Sequence, residues 1–228
     1  LIFQPMMKRW LHINGPAFTS LFQGATRWHG FIALSIVGLL YGDEGVAYMA
    51  IIMAFIIPPL NVINVAVLAR FTDGDSSLND VLHKLLRNPF IIACVMGATL
   101  NLTGIGLPSQ LYSLLDILGG GALGLGLLSV GAGLRFSLVL DHRVLVSFGA
   151  AIRLLGMPLL MFAGAWLFGI EGMPRTVAVI AAAVPTAATS YILARQMGGD
   201  APLMANLITV QVIASAITLP VMIWVAGF

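Results

Sequence analysis

The sequence predicts an all-α fold, namely a polytopic bundle of membrane-spanning helices of which two are broken near their middle. Hydrophobic residues make up 59% of the 228 residues, charged residues make up 9%, and the mean hydropathy is +1.00. A soluble core of this length could not bury so much apolar surface. Two of the long apolar runs are interrupted, one at residues 27–30 and one at residues 183–187.

Six or seven apolar runs approach or exceed the roughly 20 residues that a helix needs to cross the hydrocarbon. We predict spans over residues 17–41, 46–70, 88–106, 111–136, 144–169, 174–195 and 201–227. Hydropathy alone leaves open a second interpretation of the first run, as two short re-entrant pieces. The opening residues lack the basic leader and cleavage pattern of a signal peptide, so we expect the chain to begin inside a larger protein.

Basic residues are distributed unevenly between the predicted loops. If every run crosses once, one side receives nine of the eleven lysines and arginines, and the opposite side receives only Arg175. The nine are Lys8, Arg9, Arg27, Arg70, Lys84, Arg87, Arg135, Arg143 and Arg195. The positive-inside rule therefore predicts that these loops are cytoplasmic and that the C-terminus faces outward. The same asymmetry favours a full crossing over a re-entrant first run.

The longest polar connection, residues 71–87, begins with a turn pattern at 73–77. After that turn, apolar residues recur at helical spacing, which predicts a short amphipathic helix in the cytoplasmic interface. These residues are Leu78, Val81, Leu82, Leu85 and Leu86.

Short motifs occur in a fixed order along nearly the whole chain. They lie at residues 22–29, 41–45, 59–62, 86–89, 118–134 and 183–185. In this order they resemble the auxin efflux carrier family of membrane transporters. The resemblance implies an inverted-repeat transporter fold of ten helices in two five-helix repeats, with the fourth and ninth helices broken where they cross. It also suggests a homodimer.

Matched to that pattern, the chain is an N-terminally truncated member that holds about seven of the ten helices. Residues 1–228 would form one transporter domain, with 1–106 ending the first repeat and 107–228 forming the second. A faint internal similarity agrees with inversion, because a Gly-Asp turn follows each break, at Gly42-Asp43 and at Gly199-Asp200. Such turns between helices are also common by coincidence.

Paired broken helices are the sequence pattern that marks the substrate site of a transporter built from inverted repeats. The helices that restart after Gly30 and after Pro185 present positive dipole ends, which suit a carboxylate. Pro185 lacks a donor and clashes with the preceding turn, so it explains the second break. The hydroxyls of Thr186, Thr189 and Ser190 are candidates to line the site, although they could instead bond to their own helix.

In the first break, His29 stands two residues after Arg27, where the family that the chain resembles usually carries asparagine. We predict that both residues bind substrate. Imidazole can carry a proton near neutral pH and asparagine cannot, so a proton-linked carrier is conceivable. The alternative is a neutral His29 that is hydrogen-bonded to the freed backbone.

Polar residues inside the other spans are further candidates. Arg153 lies deep in an apolar run, where an uncompensated charge would cost at least ~2.5 kcal/mol. We predict Arg153 and Asp116 as gating or charge partners; the alternatives for Arg153 are pairing with backbone carbonyls or with Asp116, or snorkelling. Asn61 and Gln211 are predicted to bind substrate, with interhelical hydrogen bonds as the default.

These observations predict a secondary carrier in the plasma (inner) membrane that works by alternating access around the two breaks. The resemblance implies its substrate class, a small organic anion such as a dicarboxylate or an auxin-like carboxylate. The alternative is a membrane sensor that binds a ligand without transporting it. No nucleophile stands with a base, so we do not expect an enzyme. The expected partners are the anion and the lipid bilayer, with no nucleic acid, cofactor or metal.

Overall fold

A computed structural model of the chain describes residues 13–72, 87, 89–133 and 142–227. These residues form helices without any strand, which confirms the predicted all-α membrane bundle. Helix α5 (Arg143–Leu167) contains a π-helical turn over Ile152–Gly156. The helices are α1 (Gly15–Thr26), α2 (Gly30–Phe71), α3 (Pro89–Thr103), α4 (Ser109–Gly133), α5 (Arg143–Leu167), α6 (Gly172–Ala183), α7 (Thr189–Gln196) and α8 (Ala201–Gly227).

Both predicted breaks are present in the structure. The first predicted span consists of α1 and the beginning of α2, separated by residues 27–29, and the sixth consists of α6 and α7, separated by residues 184–188. Gly42 has a φ of 57°, a left-handed conformation that glycine adopts without steric cost, and it bends α2 between the first two predicted spans.

Side-chain caps fix the beginnings of α1 and α8. The Asn14 side chain accepts a hydrogen bond from the Ala17 backbone N–H at 2.9 Å, and the Asp200 side chain accepts one from the Leu203 N–H at 2.9 Å. Each cap satisfies a donor that the first helical turn would otherwise leave free. The same Asp200 also attaches its turn to α1, because its N–H donates to Pro16 and its carbonyl accepts from Ser20.

Two apolar clusters lie on either side of the breaks. The first, which we name the basic-end cluster, joins α1, the end of α2, α5, α7 and the first half of α8. The second, the far-end cluster, joins the first half of α2, α6 and the second half of α8. Lipid tails are as apolar as these side chains, so close packing rather than escape from solvent holds these helices together.

The first apolar run crosses the bundle instead of returning on itself. Phe18, near the start of α1, packs edge-on against Phe71 at the end of α2, with ring centroids 5.1 Å apart. Tyr41, at the end of the same run, belongs instead to the far-end cluster with Met173 and Ala226. The re-entrant alternative is therefore wrong.

The charge pattern agrees with this topology, with one correction. Arg70 and Arg195 end α2 and α7 at the basic end, and α5 begins there at Arg143. Arg175 lies at the far end, where its Nε donates to the Ala226 carbonyl at 3.0 Å. Arg27 was counted with the basic residues of one side. It lies instead in the first break, between the two clusters.

Three runs among the described residues are long and apolar enough to cross a bilayer: Gly15–Phe71, Arg143–Leu167 and Ala201–Gly227. Large apolar side chains cover the outside of these helices. Phe55 is 77% exposed and Leu160 is 69% exposed, as expected of lipid-facing positions. The amphipathic helix predicted over residues 78–86 lies outside the described residues.

Candidate substrate site at the crossing of two broken helices

The two breaks cross in direct contact. The His29 N–H donates to the Pro185 carbonyl at 2.9 Å, so backbone meets backbone at the centre. On one side of this bond Thr186 donates its hydroxyl to the Gly24 carbonyl at 2.6 Å. On the other side Arg27 donates from Nη2 to the Thr189 hydroxyl at 3.3 Å. We name residues 24–30 and 184–190 together the crossing.

Both helices end in the same way but for different reasons. Arg27 (φ −74°, ψ 149°) and Val184 (φ −68°, ψ 151°) are each the extended residue that ends the helix before the break. Pro185 causes the second break, because it has no N–H for the Ala181 carbonyl. The first break contains no proline; there the His29 N–H turns away from the Ala25 carbonyl and binds Pro185 instead.

Arg153 binds the carbonyls that the two breaks leave free. Its Nε donates to Val184 O at 2.8 Å, its Nη2 to Ala181 O at 3.3 Å and its Nη1 to Ala25 O at 3.3 Å. The side chain is 1% exposed and lies in the π-helical turn of α5. A guanidinium carries several donors in a rigid planar fork, so one residue can serve both helix ends. Its positive charge also interacts favourably with the negative C-terminal dipole ends of α1 and α6.

Gln211 and Thr186 complete this set of bonds. The Gln211 side chain, from α8, donates to Gly24 O at 3.0 Å and accepts from the Thr186 N–H at 2.9 Å. Glycine at position 24 permits the close approach, since a Cβ there would lie 3.0 Å from Leu207 Cδ1. Freed backbone groups are tolerated within a membrane only when protein or water satisfies them, and here buried side chains do so.

Helices α2 and α7 restart after the breaks, and neither has its N-terminal end capped by the side chain of the residue before it. That residue is His29 for α2 and Ala188 for α7. The half-buried Arg27 places its guanidinium against Thr189, the first residue of α7. In the part of the chain that the structure describes, no carboxylate pairs with Arg27. A cation and two positive helix ends are therefore concentrated at one place.

His29 contributes its backbone to the crossing and leaves part of its ring free. The residue is 6% exposed, and its Nδ1 has no hydrogen-bond partner among the described residues. Its ring centroid lies 6.2 Å from that of Phe31. The imidazole thus holds an unused nitrogen beside the start of α2.

Two further predicted residues, Asn61 and Asp116, lie on α2 and α4. Asn61 is buried on α2, close in sequence to Asn64, whose Oδ1 meets the Thr26 hydroxyl at 3.1 Å near the end of α1. Asp116 is exposed on α4, and the donors of Arg153 go to backbone carbonyls instead. The structure therefore brings Arg27, His29 and Arg153 together with the second break but leaves Asp116 apart from them.

A family model described as Membrane transport protein matches residues 75–223 of this chain, which is more than half of its length. The chain belongs to the auxin efflux carrier family. Curated relatives in Oryza sativa subsp. japonica agree with this assignment. Probable auxin efflux carrier component 5b is 27% identical over 151 residues, covering 64% of this chain and 41% of the relative. Component 5a is 27% identical over 154 residues, covering 63% of this chain and 40% of the relative.

This auxin efflux carrier family chain therefore spans about two fifths of the length of these two relatives. The matched segment contains Arg153, the second break and Gln211, which supply donors of the crossing, whereas the accepting carbonyls of Gly24 and Ala25 precede it. The first break, residues 27–29, lies before the matched segment.

Gln23 is a buried polar residue that the predictions from sequence missed. Gln23 lies on α1, one helical turn before Arg27, and is fully buried. A glutamine in an apolar span four residues from an arginine is the signal that could have found it, because both side chains then share one helix face.

Proposed function

We propose that this member of the auxin efflux carrier family is a secondary transporter for a small organic anion. The anion would bind with its carboxylate between Arg27 and the N-terminal ends of α2 and α7. One observation carries the proposal: the Arg27 guanidinium contacts Thr189 at the start of α7, and no described carboxylate neutralises it. The rice relatives are named as probable auxin efflux carrier components, which supports transport rather than another activity.

The charges of the crossing favour an anion for a further reason. Broken helices expose positive N-terminal ends and negative C-terminal ends close together. Arg153 occupies the C-terminal carbonyls of both α1 and α6 and reduces their negative potential. The remaining field comes from Arg27 and the two helix N-termini and is positive. A substrate carboxylate would replace water as their partner.

We further propose that the protein lies in the plasma (inner) membrane. The basic end of the bundle, with Arg70, Arg143 and Arg195, would then face the cytoplasm. The C-terminal end of α8 would then face outward. Alternating access would expose the crossing first to one end and then to the other, because the two apolar clusters lie on opposite sides of it.

Uptake into proteoliposomes tests the function directly. The full-length protein would be reconstituted, and uptake of radiolabelled malonate, malate and indole-3-acetate would be compared with protein-free liposomes. We expect saturable uptake of at least one acid, reduced by unlabelled carboxylates and not by the corresponding amides. Ligand-induced thermal stabilisation without any uptake would contradict a carrier and would support a sensor.

Replacing His29 by asparagine is expected to flatten the pH dependence of uptake. A proton on the free imidazole nitrogen would add positive charge beside Arg27, so wild-type uptake should increase as the pH falls. The measurement is initial uptake rate against pH for both proteins, with equal pH on the two sides of the vesicle.

The matched control is His142→Asn, because His142 is exposed and has a φ of 57°, a conformation that asparagine tolerates. It should keep the wild-type pH profile. If His29→Asn also keeps that profile, His29 is not the titrating group.

A further inference from the structure

Gln23 has a side chain that the structure leaves without hydrogen bonds. It is 0% exposed, and neither its Oε1 nor its Nε2 has a partner among the described residues. Buried polar groups in native proteins are nearly always bonded, and an unbonded one is costly. Such a residue persists where function requires it, so Gln23 is a candidate ligand-binding group.

The neighbouring polar groups on α1 are bonded to other partners, and none of them is bonded to the Gln23 side chain. The Thr19 hydroxyl donates to Pro16 O at 2.8 Å, and the Ser20 hydroxyl donates to Asp200 O at 2.9 Å. The Gly24 carbonyl accepts from both Thr186 and Gln211. Gln23 is thus the unbonded polar side chain on the segment that leads to Arg27.

A second unbonded group lies on the helix that faces this segment. Ser190, the second residue of α7, is 0% exposed and its hydroxyl has no partner in the described part of the chain. Helix α7 packs alongside α1, and the two segments approach each other at two positions along the helix axes. At one position Arg27 contacts Thr189, and at the other a Cβ on Gly199 would lie 3.2 Å from both Thr19 Oγ1 and Ala194 Cβ. Between these two positions, Gln23 lies on α1 after Thr19 and before Arg27, and Ser190 lies on α7 after Thr189 and before Ala194.

We propose that Gln23 and Ser190 form a subsite for a neutral polar group of the substrate, such as a hydroxyl. This inference rests on the proposed function, in which Arg27 binds the substrate carboxylate. An amide and a hydroxyl both donate and accept hydrogen bonds, which matches a substrate hydroxyl and does not match an aromatic ring. Residues four apart on a helix are about 6 Å apart, which is comparable with the length of a four-carbon acid.

The subsite makes a prediction about selectivity. L-Malate and succinate are four-carbon dicarboxylates that differ by one hydroxyl. We expect the full-length wild-type protein in proteoliposomes to take up L-malate with a kcat/KM about tenfold or more above that for succinate, as one buried hydrogen bond allows. Gln23→Met should bring this ratio close to one and leave succinate uptake within about twofold, because the methionine keeps the volume and loses the polar group.

Gln211→Met is the matched control, since Gln211 is also a fully buried glutamine but both of its amide atoms are bonded. Thermal unfolding in detergent separates the two residues without any substrate. We expect Gln23→Met to raise Tm, because it removes an unbonded polar group, and Gln211→Met to lower Tm. A lower Tm for Gln23→Met would show that the amide is bonded within the protein and would overturn the proposal.

The outcomes also separate this inference from the proposed function. Uptake of both acids with an unchanged ratio in Gln23→Met and Ser190→Ala would overturn the subsite and leave the carrier intact. No uptake of either acid by the wild type would count against the proposed function for dicarboxylates. The Tm comparison would still decide whether the Gln23 amide lacks hydrogen bonds within the protein.

Discussion

Replacing Arg27 by glutamine is expected to reduce kcat/KM for organic-anion uptake by at least about a hundredfold, because a buried charged hydrogen bond to the substrate is lost. Stability should change little, since the side-chain hydrogen bonds of Arg27 to described residues consist of one bond of 3.3 Å to Thr189. We expect Tm to shift by no more than a few degrees, as for other weak polar contacts. Uptake kinetics and thermal unfolding of the same preparation provide both numbers.

Arg175→Gln is the control for general loss of positive charge. Arg175 also carries a guanidinium and also binds a carbonyl near a helix end, that of Ala226, but it lies at the far end of the bundle. Its uptake should stay within about twofold of wild type, as for a substitution away from the site. Near-normal uptake by Arg27→Gln would contradict the anion site proposed at the crossing.

Replacing Arg153 by alanine is expected to have the opposite profile, a large loss of stability. The carbonyls of Ala25, Ala181 and Val184 would lose their donor, and a buried unbonded group costs about 1–3 kcal/mol. The sum is on the order of 3 kcal/mol or more, which corresponds to a Tm decrease of roughly 6 °C or more for a chain of this size. Thermal unfolding measures it.

Two further measurements identify the cause of that loss. Arg153→Lys keeps the charge, but one ammonium cannot reach three carbonyls in the geometry of a guanidinium, so its Tm should be intermediate. Added methylguanidinium should raise the Tm of Arg153→Ala and leave that of the wild type unchanged. A Tm for Arg153→Ala equal to that of the wild type would show that the three bonds contribute nothing measurable.

The sequence was sufficient to predict the helices and both interruptions. Long apolar runs and the turn at Gly42 define the spans, and Pro185 has a local effect on the backbone that is readable without a structure. Depth within the membrane was harder to predict. Arg27 was counted with the basic residues of one side although it belongs to an interruption near the middle of a span, and the structure places that interruption between the two apolar clusters.

The partners of the buried polar residues could not be predicted in detail. Backbone carbonyls were one of several alternatives for Arg153, but which carbonyls depends on how α1 and α6 cross. Gln23 and Gln211 are both glutamines in apolar runs, and yet among the described residues the side chain of Gln23 has no hydrogen bond and that of Gln211 has two. That difference arises from contacts between residues that are far apart in the chain, which periodicity does not encode.

The bonds at the crossing have a consequence for the order of biogenesis. The carbonyls of Gly24 and Ala25 are produced early, but their donors are Arg153, Thr186 and Gln211, which are synthesised 128 to 187 residues later. Until those residues emerge from the ribosome, the end of α1 must stay with water, lipid headgroups or an insertion factor. Nascent chains arrested before α8 should therefore leave α1 open to protease or to cysteine-reactive probes, and full-length chains should protect it.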